Sequence, residues 1–270
     1  MVVFLTIDER EKLDIIILIL ATILAGFIGS ILGLGGGIVL VPFLTLIFDF
    51  PISSAVGTSL VAIVITSAGA SSVYLSRGQV SIPAAYRLEL FTVLGATIGG
   101  LSAKYLPAKL IAVTFGIVLL FTAYNMIKSV FKRKAKDTKP ESNKTWNFND
   151  VNRKNRIQSY GGSVAAGIVS ALLGVGGGVL KVPILNLILG APIRVSVATS
   201  ALMIGITASA GAVHYIVSGH VNPITAMIVA ASIFIGARSG AIIAARIKVE
   251  YIRTAFGLIL IYTAIRMFLL

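Results

Sequence analysis

Gly33-Leu34-Gly35-Gly36-Gly37, followed by Pro42, is the stretch that decides the fold of this chain. The same pattern returns 141 residues later as Gly174-Val175-Gly176-Gly177-Gly178, followed by Pro183. The same offset relates many other positions between Gly26 and Met267 without a gap. The chain is therefore a duplication of one glycine-interrupted unit.

The composition predicts an all-α, multi-pass protein embedded in the lipid bilayer of the cell membrane. Hydrophobic residues make up 57% of the 270 residues and charged residues 12%, and the mean hydropathy is +0.97. No water-soluble domain of this size has so apolar a surface. Runs such as Ile15–Leu32 and Leu110–Ile127 approach the ~20 helical residues needed to cross a hydrocarbon core about 30 Å thick.

The residue inventory excludes several classes of chemistry. The chain has no cysteine, which excludes disulfides, thiol catalysis and thiolate metal sites. With only His214 and His220, a histidine metal site is not expected, so the sequence predicts no metal and no cofactor. No paired carboxylates and no Ser/His/Asp arrangement fall on facing apolar segments. The protein is thus predicted not to be an enzyme, and a membrane-embedded enzyme is a remote alternative.

The net charge of +13 is concentrated in a central linker. Ten of the 23 basic residues lie between Lys128 and Arg156. Such a density of Lys and Arg beside a span marks the cytoplasmic side and attracts anionic lipid, so no nucleic-acid partner is expected. The predicted organisation is repeat 1 at residues 13–127, a basic cytoplasmic linker at 128–157, and repeat 2 at 158–270.

Each half contains the same five apolar pieces, giving about 8–10 membrane segments. The shorter pieces beside the glycine strings have 11 to 14 residues, and these span only about 16–21 Å. They are predicted to be half-helices or re-entrant hairpins. An odd number of crossings in each half would make the repeats inverted, whereas four would make them parallel. The inverted arrangement is preferred because it places Arg246, Lys248 and Arg253 on the cytoplasmic side.

The glycine strings are the first candidate binding elements. Three consecutive glycines break a helix, and the freed N–H groups are costly in hydrocarbon unless they line a polar cavity. The next piece then begins a helix whose N-terminus favours an anion. Two copies of such a broken unit are typical of transporters with a site between the repeats. The predicted substrate-binding glycines are Gly35, Gly36, Gly37, Gly176, Gly177 and Gly178. For Gly95, Gly99, Gly236 and Gly240 the expectation is close helix packing without a ligand.

Polar side chains inside the apolar pieces complete the candidate site. Lys181 lies three residues after Gly178, and a charge there is expected to face the protein interior or water. Its alternatives are anion binding, snorkelling, or bonding to carbonyls released by Pro183. Arg238 is a second candidate cation on a small-residue helix face. Hydroxyl groups on the third piece of both halves are further candidates: Thr58, Ser59, Thr199 and Ser200.

Coupling to an ion requires a titratable group in the pathway. The candidates are Asp49, Glu89, His214 and His220, and His214, next to Tyr215 in the third piece of repeat 2, is the preferred coupling candidate. Asp49 and Glu89 are expected to be interfacial, since the first is at a helix end and the second follows Arg87 near a membrane edge.

Paired Gly-x-Gly-Gly-Gly-x-x-x-x-Pro strings in a small, duplicated, highly apolar chain resemble the TauE/SafE family of sulfite exporters and sulfonate permeases. The resemblance extends from Gly26 to Met267. It implies a secondary transporter that moves sulfite, a sulfonate or another organosulfur anion, with a co-transported proton or sodium as a candidate partner. The chain departs from its own symmetry at Leu40/Lys181 and Thr97/Arg238. An anion channel is the alternative function, and a homo-oligomer stays open because a dimer would supply further symmetry for a pore.

Overall fold

The computed structural model describes residues 9–103, 105–134, 146–244 and 249–268. Ten α-helices and no strands lie within these ranges. Repeat 1 contributes α1 (Glu9–Leu32), α2 (Gly37–Leu46), α3 (Ile52–Ser76), α4 (Ile82–Ala103) and α5 (Ala108–Lys134). A short 3-10 turn, Phe148–Asp150, precedes repeat 2. Repeat 2 contributes α6 (Arg153–Leu173), α7 (Gly178–Pro183), α8 (Ile193–Val217), α9 (Pro223–Ile243) and α10 (Val249–Phe268), and a π-helix, Ile184–Ile188, continues α7.

Within the part of the chain that the structure describes, five helices are long and apolar enough to cross a membrane. These are Lys12–Leu32, Ile52–Ser76, Ala108–Asn125, Ile193–Val217 and Pro223–Ile243, and shorter apolar helices include Gly37–Leu46 and Gly178–Ile188. The prediction of an all-α, multi-pass membrane protein is confirmed. The total of 8–10 membrane segments stays a prediction.

The helix breaks occur at the two glycine strings. Gly33, Gly35 and Gly36 have φ of 70°, 83° and 80°, and Gly174, Gly176 and Gly177 have 68°, 74° and 72°. Side chains other than glycine's rarely adopt this left-handed region, so the backbone of the strings favours glycine at three positions in each repeat. In repeat 1 the string folds back onto α1, where the Leu34 N–H donates to the Gly29 carbonyl at 2.9 Å.

The first helix of each repeat packs against the fourth helix of the other repeat, an arrangement called here the exchange of helices. Helix α1 packs against α9, and its counterpart α6 packs against α4. A β-carbon on Gly95 would overlap the Val164 carbonyl, and one on Gly236 would overlap the equivalent Ile23 carbonyl. A β-carbon on Gly99 would likewise overlap the Ile168 carbonyl, and one on Gly240 would overlap the Phe27 carbonyl. The expectation that these four glycines allow close helix packing is confirmed.

Equivalent helices α3 and α8 pack antiparallel to each other. Gly57, near the start of α3, lies against Tyr215, near the end of α8. Further along, the Ser67 hydroxyl donates to the Ala201 carbonyl at 2.6 Å. Antiparallel packing of equivalent helices is the arrangement that an inverted repeat requires. It supports the preferred inverted arrangement, which stays a prediction.

The predicted linker and charge cluster lie partly outside the described residues. Of linker 128–157, the described parts are the end of α5, the 3-10 turn and the start of α6. The Trp146 indole N–H donates to the Leu189 carbonyl at 3.2 Å, which fixes the end of the linker beside the loop before α8. Arg246 and Lys248 are outside the described residues.

Candidate functional site

The two glycine strings meet between the middles of α3 and α8. A β-carbon on Gly37 would overlap the Gly174 carbonyl oxygen, and one on Gly178 would overlap the Gly33 carbonyl oxygen. A β-carbon on Gly35 would lie 2.7 Å from Ile204 and 3.2 Å from Ile63, the residues near the midpoints of the two long helices. The strings therefore lie in direct contact with each other in the interior, and neither string is at the surface.

Two serines join each string to the opposite repeat. The Ser59 hydroxyl donates to the Gly174 carbonyl at 2.7 Å, and the equivalent Ser200 hydroxyl donates to the Gly33 carbonyl at 2.9 Å. Both serines are completely buried. They were predicted as substrate ligands, and in this structure their hydroxyls stabilise backbone carbonyls of the strings.

The neighbouring threonines differ from each other. The Thr199 hydroxyl accepts a hydrogen bond from the Ser81 N–H at 3.0 Å, in the loop between α3 and α4. The hydroxyl of Thr58, which is 1% exposed, has no hydrogen-bond partner among the described residues. Thr58 is therefore the hydroxyl of this predicted set that is free to bind another molecule.

Lys181 forms a buried ion pair that the sequence did not predict. Its Nζ lies 3.0 Å from Oε2 of Glu89 on α4, and the two residues are 1% and 4% exposed. Thr207 on α8 has its hydroxyl oxygen within hydrogen-bond reach of both the Lys181 ammonium and Glu89 Oε1. Glu89, which was expected to be interfacial, instead has its side chain buried inside the protein and bound by Lys181 and Thr207. Asp49 is exposed in the loop between α2 and α3, as expected.

The Lys181 side chain runs back toward the start of its own helix. Its Cε lies 3.5 Å from the point where a β-carbon of Gly177 would be, and the Ser170 Cβ lies 3.3 Å from the same point. The buried hydroxyls of Ser170 and of Ser163, two turns earlier on α6, have no hydrogen-bond partner among the described residues. Lys181 thus lies in a polar environment that includes unsatisfied hydroxyl donors.

This polar cluster occurs in one repeat alone. At the 141-residue offset, Lys181 corresponds to Leu40, Glu89 to Ala230 and Thr207 to Thr66. Leu40 is buried, and the Thr66 hydroxyl donates to the Ala62 carbonyl of its own helix at 3.0 Å. The fold therefore forms the equivalent junction in the other repeat without charges.

Arg238 and His214 lie away from the strings. Arg238 is exposed on α9, where its Nη1 donates to the Ser72 hydroxyl at 3.4 Å. Because Gly236 and Gly240 face α1, a residue midway between them points to the opposite side of α9. The His214 Nδ1 lies 3.2 Å from the Ala210 carbonyl, two helical turns along α8 from Thr207.

A cavity of about 470 Å³ opens at the end of α8. Its polar lining includes Ser53, His214, Tyr215, Ser218 and His220, and Gly100 and Leu101 of α4 form another wall. The 141-residue offset maps Ser218 onto Arg77, and Gly100 and Leu101 onto Ala241 and Ile242. At that opposite end the Arg77 guanidinium donates to the carbonyls of Ala241 and Ile242 at 3.1 and 3.0 Å. A cavity thus lies at one end of the α3/α8 pair, and an arginine bridges the corresponding walls at the other end.

The described residues contain no group of three or more His, Cys, Asp or Glu side chains placed to hold a metal ion. Sequence reasoning set Glu89 aside as interfacial and did not single out Ser163 or Ser170. A signal for Glu89 was present, since a cation as deep in an apolar segment as Lys181 requires a counter-charge. Glu89 is 92 positions away from Lys181 in the chain, so its identity as that partner depended on the tertiary structure.

Comparison with known proteins gives a consistent result. The family described as Sulfite exporter TauE/SafE matches residues 18–267. The probable membrane transporter protein YunE of Bacillus subtilis (strain 168) is 30% identical over 263 residues, covering 92% of this chain and 95% of that protein. A probable membrane transporter protein of Haemophilus influenzae is 29% identical, covering 94% of this chain and 98% of the relative. One of Methanocaldococcus jannaschii is 26% identical, covering 90% and 91%. No solved structure matches the chain significantly.

Proposed function

Because this chain belongs to the sulfite exporter TauE/SafE family and is a membrane transporter, we propose that it is a secondary transporter for small sulfur-containing oxyanions. The substrate class is sulfite, a sulfonate or another organosulfur anion, carried across the cell membrane by alternating access. The observation that carries this proposal is Lys181, a fully buried cation beside the junction of the two glycine strings.

The chemistry around Lys181 suits a compact oxyanion. An ammonium group offers three N–H donors and a full positive charge, and charge-assisted hydrogen bonds to oxyanions are about twice as strong as neutral ones. The hydroxyl of Ser170 lies on the same side of the string, and those of Ser163 and Thr58 are also buried without partners. The Lys181 ammonium and the Ser170 hydroxyl are thus donors on the same side of the string that would suit the equivalent oxygens of a sulfite or sulfonate group.

The glycine strings add to the positive potential. Each string begins a helix, at Gly37 in repeat 1 and at Gly178 in repeat 2. The N-terminal N–H groups of a helix have no intrahelical acceptor and act together as roughly half a positive charge. In a low-dielectric interior this potential attracts an anion more strongly than it would in water.

The difference between the two ends of the α3/α8 pair supports alternating access. The cavity lined by His214 and His220 lies at one end of the pair. At the other end Arg77 joins the end of α3 to the carbonyls at the end of α9. In an inverted repeat a transporter converts between two such states by exchanging the conformations of its halves. Under the proposal, the end with the cavity is the side from which the substrate enters in this state, and it lies opposite the basic linker.

A flux screen in proteoliposomes tests the proposal. Purified protein is assayed with sulfite, sulfate, thiosulfate, taurine and sulfoacetate, with acetate and succinate as carboxylate controls. We expect saturable, concentration-dependent flux of at least one sulfur oxyanion and none of the carboxylates. Protein-free liposomes and the Leu40→Met variant, which alters the uncharged position equivalent to Lys181, serve as controls.

The same assay distinguishes the channel alternative. Unsaturable flux accompanied by a conductance would indicate an anion channel and contradict alternating access. Flux of carboxylates alone, or of no anion, would contradict the proposed substrate class.

A further inference from the structure

The ion pair between Lys181 and Glu89 provides a mechanism for coupling. We infer that the Glu89 carboxylate occupies the place on Lys181 that a substrate anion takes during transport, and that Glu89 accepts a proton before the anion binds. One proton then accompanies each anion. This inference rests on the proposed anion-transport function and adds a proton-binding site to it.

The positive charge of Lys181 is already paired with the Glu89 carboxylate in this structure. Its Nζ contacts Glu89 Oε2 at 3.0 Å and also the Thr207 hydroxyl, and these two contacts direct the ammonium toward α4 and α8. An oxyanion can bind the ammonium fully only if the carboxylate gives way. Substrate and Glu89 are therefore competitors for one cation.

Charge balance then requires the proton. A second anion beside the pair would leave a net negative charge in a buried site, where uncompensated charge costs several kcal/mol. A proton that adds to a Glu89 carboxylate oxygen removes that negative charge. The substrate then takes the place of the carboxylate as the counter-ion of Lys181, and the buried charge remains balanced.

The fold does not require a charged pair at this position. The junction of the other repeat is built with Leu40, Ala230 and Thr66 at the equivalent positions and contains no charge. A purely structural role would leave unexplained why one junction bears a costly buried pair and the other does not. The unpartnered hydroxyls of Ser163 and Ser170 on the adjacent α6 likewise indicate that this junction binds something more.

The groups around Glu89 are contributed by three helices. Among the described residues, α7 brings Lys181 to it and α8 brings the uncharged Thr207. Tyr160 of α6 stacks on Phe91, two residues further along α4. Arg87, on the other side of Glu89 in the sequence, turns away to Asn149 at 2.8 Å. No other carboxylate or histidine in the described part of the chain contacts Glu89.

The transport step balances as follows. A proton from water adds to the Glu89 carboxylate, and the ion pair becomes a hydrogen bond between the charged Lys181 ammonium and a neutral carboxylic acid, which the incoming anion displaces. After the conformational change the anion leaves, the protonated Glu89 releases its proton to water on the second side, and the Lys181–Glu89 pair forms again. No bond in the substrate breaks.

Proton uptake on anion binding tests the inference. Wild type, Glu89→Gln, His214→Gln and Asp49→Asn are reconstituted with a pH-sensitive dye inside the liposomes. The probe is a monovalent sulfonate such as isethionate, because its single negative charge is constant between about pH 6 and about pH 8 and is balanced by Lys181 once Glu89 is protonated. For wild type we expect one proton per anion and an apparent Kd that rises about tenfold per pH unit where Glu89 is ionised.

The variants separate the outcomes. Glu89→Gln is expected to bind the probe with no proton uptake and no pH dependence, because its amide cannot titrate. Asp49→Asn, which neutralises an exposed carboxylate, is expected to behave as wild type. Proton uptake retained by Glu89→Gln, or lost in His214→Gln alone, would overturn the assignment to Glu89.

A second variant covers the case in which Glu89→Gln does not fold. The double variant Glu89→Gln/Lys181→Gln has a neutral pair and is expected to fold and to lose both anion binding and proton uptake. Proton uptake coupled to anion flux in this double variant would overturn the inference. If wild-type protein carries anions without protons, the inference fails and the proposed function stands. If it carries no sulfur oxyanion, the proposed function fails and the inference falls with it.

Discussion

Lys181 and Glu89 are each stabilised inside the protein by the charge of the other. Removing one charge and removing both are therefore expected to have different effects on stability. Lys181→Met removes the cation and leaves a buried carboxylate without its counter-charge. Removing one partner of a buried pair typically costs about 3–5 kcal/mol, whereas replacing both is often neutral. We therefore expect a lower Tm in detergent for Lys181→Met than for Lys181→Met/Glu89→Gln.

The matched control for this prediction is Leu40→Met, at the equivalent position of the other repeat. A Leu-to-Met exchange conserves volume and is expected to cost less than about 1.5 kcal/mol. Equal Tm values for the single Lys181 variant and the double variant would show that the two side chains do not stabilise each other.

The single residues illustrate where sequence reasoning succeeds and where it stops. Lys181 was recognisable because a charge inside an apolar helix is costly wherever that helix packs. The neighbours of Glu89 in the sequence indicate a membrane edge, whereas its burial follows from the packing of α4 against α6 and α8, which is tertiary. Arg238 was placed in the site because its small neighbours suggested an inner face, and those neighbours in fact face α1.

At the scale of the element, the glycine strings combine two constraints that substitution can separate. Gly36 has φ of 80° and a β-carbon there would lie 2.9 Å from the Ala25 carbonyl oxygen. Gly78 has φ of 63° and nothing within 4 Å of that point. Gly36→Ala and Gly78→Ala therefore share the backbone strain of roughly 1–2 kcal/mol, and Gly36→Ala adds steric overlap.

We expect Gly36→Ala to lower the Tm more than Gly78→Ala and to abolish anion flux, since the string must keep its contact with α1 and with the opposite string. Gly78→Ala should leave flux near the wild-type level. The flux and Tm of both purified proteins provide the measurement. Equal losses in the two variants would mean that backbone strain alone, and no close approach, explains the glycine at position 36.

The elements themselves were largely predictable. Apolar runs, glycine strings and prolines are local signals, and the predicted breaks at Gly33–Gly37 and Gly174–Gly178 coincide with the observed ends of α1 and α6 and starts of α2 and α7. The π-helix after Pro183 was not predicted. The equivalent α2 contains Pro42 and continues as an α-helix, so proline alone does not determine this difference.

At the scale of the whole molecule, the orientation of the repeats is open to a labelling experiment, because the chain has no native cysteine. Gln79→Cys and His220→Cys lie in equivalent loops after α3 and α8. With inverted repeats and a cytoplasmic linker, an impermeant thiol reagent should label His220→Cys in intact cells and leave Gln79→Cys unlabelled. Gln79→Cys should become reactive when the cells are opened.

A cysteine at Ser142, in the linker and outside the described residues, is the orientation control and should be protected in intact cells. Labelling of both loop positions from the same side would contradict the inverted arrangement. The sequence could not decide this point, because the charge counts of the inverted and parallel arrangements are similar. The antiparallel contacts between α3 and α8 are tertiary and have no local signal.

The exchange of helices between the repeats has a consequence for the biosynthesis of the protein. Gly26 on α1 packs against Ile233 on α9, a residue that leaves the ribosome about 200 residues later. At roughly 5–20 residues per second, α1 waits on the order of 10–40 s in the bilayer before its partner exists. The two repeats therefore cannot mature one after the other and then dock. After its synthesis, the first repeat must remain in the bilayer without its final packing partners until nearly the whole chain has been inserted. During that time the glycine-containing face of α1 is not yet packed against α9.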